Sequence, residues 1–127
     1  MSHKNTFKIA HEHQEWVSSI ENLRVKISAL QGTLTQLAVG MEDDAALKQV
    51  EHFQNQFIIQ RNHIDEVEHA IHLHIDRFEA GAKKEIQDPT NSLKKEHKSI
   101  PESLNELSST LISLEKELKH FAKQSAG

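Results

Sequence analysis

The sequence predicts an all-α fold, an elongated up-down-up antiparallel three-helix bundle with heptad-like a/d seams. Three observations predict it. Apolar residues recur at alternating steps of three and four through three long segments, the spacing of one face of a helix. Only four glycines and two prolines interrupt 127 residues, and strand-forming runs are scarce. Apolar residues make up 36% of the chain and charged ones 27%, a balance that suits thin seams better than a thick core. A chain of this length reads as one domain, residues 1–127, with helices over roughly 5–39, 44–82 and 91–123.

The first segment carries Ile9, His13, Trp16, Ile20, Leu23, Ile27, Leu30, Leu34, Leu37 and Met41 on its seam. Gly40 then offers a helix C-cap, and Asp43 or Asp44 an N-cap for the next helix. The second seam runs through Val50, Phe53, Phe57, Gln60, Ile64, Val67, Ile71, His74 and Phe78, and fades where Gly81, Pro89 and Asn91 punctuate the chain. The third runs through Leu93, His97, Ile100, Leu104, Leu107, Leu111, Leu114, Leu118 and Phe121. Pro101 interrupts its start. "SIPE", Ser99 to Glu102, has the form of a capping box, so either a short extra helix precedes residue 99 or one long helix kinks there. Gln60, with Arg24 and Glu115 at the same height, suggests a polar layer that specifies register, or three side chains that reach solvent past the seam.

Composition narrows the function. The formal charge of −4 argues against nucleic acid as a partner, which calls for a basic footprint. Ten histidines would carry that charge through zero on mild acidification, which predicts a solubility minimum near about pH 6. Without cysteine there is no disulfide, thiolate ligand or thiol nucleophile. "MSHKNTFKIAHEHQEW" lacks the apolar stretch of a signal peptide, and no run approaches the roughly 20 apolar residues of a membrane span, so a cytoplasmic protein is expected and membrane association is not. No glycine-rich phosphate loop or nucleophile elbow is present, and the serines of the third helix have no histidine–carboxylate relay; no enzyme activity is expected.

Metal chemistry is the exception, because "HIDEVEHAIHLHI", residues 63–75, holds four histidines. Glu66 and His69 match the Glu-x-x-His spacing of di-iron bundles, as do Glu117 and His120, but the heptad register turns both pairs outward. His11 with Glu15, and His72 with Asp76, have the i, i+4 spacing of a hemerythrin-like site and also face away from the seam.

The better candidates lie on the seams themselves: His13, His74 and His97, one per helix, with Glu12 as a carboxylate companion. Three imidazoles and a carboxylate would complete a shell for Zn or Fe. Pairing about the first turn sets His13 near residue 71, and pairing about the second sets His97 near residue 78. The three then span roughly 10 Å along the second helix, so they converge or occupy separate layers. The competing reading is three polar inserts that fix register near one bundle end, at some cost in stability.

"VEHFQNQFIIQRNHIDE", residues 50–66, and "HEHQEWVSSIENLR", residues 11–24, resemble a group of small uncharacterised bacterial all-helical proteins of about this length. The resemblance covers most of the first two helices and implies an all-helical fold, with no activity, cofactor or catalytic residue. The leading expectation is a non-enzymatic bundle that works as an oligomerisation or protein-interaction module, with a protein partner or a second copy in a homodimer. The alternative is a metal-binding bundle, structural or sensory, that uses the inward histidines.

Overall fold

The computed structural model describes residues 3–83 and 91–126, with side chains from 8 to 80 and from 94 to 125. Three helices, α1 (His3–Ala38), α2 (Asp44–Lys83) and α3 (Asn91–Ala126), pack each against both others in an antiparallel bundle. At 36, 40 and 36 residues they are about 54 to 60 Å long. The expected turn over 85–90, with Pro89, lies outside the described residues, as does the side chain of Leu93.

The first connection is built as its residues dictate. Gly40 takes φ +75°, a left-handed backbone that suits glycine, and the amides of Val39 and Met41 bond back to the Gln36 and Ala38 carbonyls at 3.3 and 3.1 Å. Asp43, rather than Asp44, caps α2: its Oδ2 accepts the Ala46 amide at 3.0 Å while its carbonyl accepts that of Leu47. Asp44 becomes the first helical residue, where its negative charge is favourable beside the positive end of the helix dipole.

The three seams close on one another. Ile27, Phe57, Ile64 and Leu111 are fully enclosed at mid-bundle, and each such side chain contributes about 1.5–3 kcal/mol through removal from water. Phe53 packs against Phe57 and Phe121 at one end. At the other, Trp16 packs among histidines.

Polar side chains at the rim join the helices in pairs. Arg61 of α2 donates to Gln31 Oε1 at 2.6 Å and Ser28 Oγ at 2.7 Å of α1. Gln60 is buried as its seam position requires, yet the polar layer does not form around it. Arg24 instead donates to Asp65 and Glu68 of α2 at 2.7 and 2.9 Å, and Glu115 pairs with Lys26 at 3.5 Å. Both stay about one-third exposed, where hydration and an opposite charge together outweigh a buried amide.

Of the two alternatives at Ser99, the structure has the long helix and not the capping box. α3 is a single helix that runs through Pro101, and the Ser99 hydroxyl donates to the Glu96 carbonyl at 3.1 Å instead of accepting an amide. Burial of Ile100 and the contacts of the preceding turn hold the helix together on both sides of the proline. Proline has no N–H to give the carbonyl four residues earlier, that of His97. Pro101→Ala is therefore expected to raise stability by roughly 1–3 kcal/mol in urea denaturation. A neutral or lower value would place the proline in a first helical turn and the preceding residues outside the helix.

Candidate metal centre

His13, His74 and His97 come from three different helices and meet at one end of the bundle. Each offers a ring nitrogen, and the three nitrogens lie within 4.8 Å of one another. The register that brings them together differs from the pairing inferred from the turns by about one helical turn on each side. His13 sits against His74 rather than residue 71, and His97 sits against His74 rather than residue 78. The two displacements close the expected spread. Turn position locates a helix only to within a turn, whereas interdigitation of the seam side chains selects one register.

Two carboxylates orient two of the rings. His74 Nδ1 is 3.0 Å from Glu96 Oε2, and His97 Nε2 is 2.6 Å from Glu12 Oε2. A carboxylate accepts, so each of these nitrogens carries the proton and donates. In a neutral ring the opposite nitrogen then holds a lone pair; His74 Nε2 and His97 Nδ1 face each other at 3.4 Å. His13 Nε2 is buried and has no hydrogen-bond partner among the described residues. Arg77 donates to the other oxygen of Glu96 and holds that carboxylate in place.

Aromatic rings wall the site on the side of His13. His13 lies 5.0 Å from Trp16 and 5.5 Å from Phe78, and Trp16 lies 4.9 Å from His97 between ring centroids. His13 and His74 are buried. Burial, with the neighbouring His74 and His97 acting in the same direction against Glu12, pushes the His13 imidazole from its ordinary 6.5 down to about 4. His13 is thus neutral at pH 7, the form that binds a metal.

Glu12 is at the site, on His97 and outside the cluster of three ring nitrogens. It holds the nitrogen of His97 that lies across the ring from the one facing His74. Glu96 was missed in the sequence, although the signal was present. It precedes a seam histidine just as Glu12 precedes His13, and in both cases the acid at the seam edge reaches a histidine on a neighbouring helix. The remaining histidines of residues 63–75 decorate the surface: His63, His69 and His72 are exposed. Glu66, Asp76, Glu117 and His120 are exposed as well. His11 and Glu15 form an exposed pair at 3.0 Å on the outer face of α1.

No family model, curated protein or solved structure matches the chain. The site is defined by its geometry: two buried histidines and one half-buried histidine from three helices of a bundle, which could hold a metal ion.

Proposed function

We propose that this chain is a metal-binding helical bundle that holds one divalent ion, Zn²⁺ the best fit, on His13 Nε2, His74 Nε2 and His97 Nδ1. The observation that carries it is the convergence of three imidazole nitrogens, two of them on rings whose opposite nitrogens are held by carboxylates. His74 and His97 point lone pairs at each other, and an uncharged pair so arranged is repulsive unless a cation lies between them. Tetrahedral zinc with bonds of about 2.0–2.1 Å separates its ligand nitrogens by about 3.4 Å. The His74–His97 distance already has this value, and the widest separation in the triad, at most 4.8 Å, closes with small rotations. Glu96 and Glu12 complete the carboxylate–histidine–metal arrangement that fixes tautomer and raises ligand basicity. Iron in helical bundles is typically held by several carboxylate ligands, and here both carboxylates are taken by ring N–H groups.

An ion in this position would tie α1, α2 and α3 together at one end, a structural or sensory role. The oligomerisation module expected from the sequence draws less support. The seams close within one chain, and the apolar side chains left at the surface are divided among α1 (Val25), the first connection (Val39), α2 (Leu47, Ile58, Ile59 and Leu73) and α3 (Ile112).

Untagged protein purified without chelator is expected to carry, or to take up after incubation and desalting, one Zn²⁺ per chain. His97→Ala and His13→Leu should each lose it, while His69→Ala and His72→Ala on the exposed face should keep it. Wild-type protein that retains no metal, or triad variants with unchanged stoichiometry, would sink the proposal.

A further inference from the structure

We infer that the metal held by this triad keeps one coordination position for an exogenous ligand, a small monoanion or water; the inference rests on the metal-binding reading above. Zinc and cobalt in nitrogen sites take four ligands, and sites with three protein ligands leave the fourth to solvent or substrate. Among the described residues, the site supplies three. Both nearby carboxylates are turned away, since each is hydrogen-bonded to the ring nitrogen opposite the one that faces the triad. A carboxylate so placed lies across the imidazole from the metal and cannot bind it without giving up that bond. Glu96 is held further by Arg77. Trp16 and Phe78, which wall the site beside His13, offer no lone pair for a metal.

Access and charge point to the class of ligand. His13 and His74 are buried, but the side chains of His97, Glu12 and Glu96 are each about one-third exposed, so water reaches the side of the site where α3 meets its neighbours. A divalent ion on three neutral imidazoles, with Glu12, Glu96 and Arg77 around it, leaves one net positive charge. Such a centre favours a single negative charge in the open position over a neutral or dianionic group.

Cobalt tests this directly, because Co²⁺ occupies zinc sites and its visible spectrum changes when a ligand is exchanged. Co²⁺-loaded wild-type protein titrated with azide at pH 7 is expected to show a saturable spectral change with an isosbestic point. Glu12→Gln should bind Co²⁺ about 10- to 100-fold more weakly, as loss of an orienting partner does, with the azide response kept. A wild-type spectrum that azide does not move while one Co²⁺ stays bound would overturn the open position and leave the metal site standing. If, in addition, Glu12→Gln became azide-sensitive, Glu12 would be the fourth ligand. Failure of wild-type protein to take up Co²⁺ or Zn²⁺ at all would overturn the metal-binding reading and this inference together.

Discussion

Saturation with Zn²⁺ is expected to raise the unfolding free energy by about 4 kcal/mol when free metal exceeds its Kd a thousandfold. For a chain of this size the midpoint should rise by on the order of 10–20 °C. The gain arises because the ion binds the folded chain far better than the unfolded one. His13, His74 and His97 are distant in sequence and meet only when three helices pack in one register. His97→Ala is the informative variant. Its side chain is about one-third exposed, so truncation leaves little cavity, and the metal-dependent rise should vanish while the metal-free midpoint moves little. His74→Ala, at a residue 1% exposed, should lose the rise and destabilise the fold as well. Differential scanning calorimetry with and without chelator checks both. An equal rise in wild type and His97→Ala would assign the effect to surface histidines.

Acidification is expected to cost the metal-free chain roughly 3 kcal/mol between about pH 6.5 and 4. The folded His13 is held near 4 by burial and by His74 and His97, with Glu12 opposing, while the unfolded chain titrates at the ordinary 6.5. Between those values the unfolded state takes up a proton that the folded state refuses. This contribution to stability is therefore complete above the unfolded value and lost as the pH falls toward the folded one. His13→Leu should flatten this part of the profile. It should also raise metal-free stability at pH 7 by about 1–3 kcal/mol, since a buried nitrogen with no partner among the described residues is replaced by a methyl group. Urea denaturation at pH 7.5, 5.5 and 4.5 in the presence of chelator measures the difference. Parallel profiles for wild type and His13→Leu would show that His13 is not the group responsible. The same histidine that weakens the metal-free bundle is the one whose nitrogen the metal requires, which sets stability against binding at a single position.

Much of this was legible residue by residue. The outward direction of Glu66, His69, His72 and His120 followed from their distance from the seam, and all four are exposed. Asp43 and Gly40 marked the first connection because capping depends on a few adjacent atoms. Local chemistry misled at two places. Ser99 and Pro101 have the form of a helix start, yet packing of Ile100 and the ties of Glu96 to its neighbours carry α3 through them. Arg24 and Glu115 share a height with Gln60, but long side chains at the rim turn to whichever charge is nearest.

By itself, then, the sequence determined three helices and the placement of one histidine on each seam, because periodicity and capping act over a few neighbouring residues. Only the tertiary structure decided that His13, His74 and His97 meet, and that Glu12 and Glu96 stand behind the rings instead of inside the site. The reason is one of scale. A one-turn slip between helices moves a side chain by about 5.4 Å, more than the span of a metal's ligands, and that slip is chosen by the packing of whole seams.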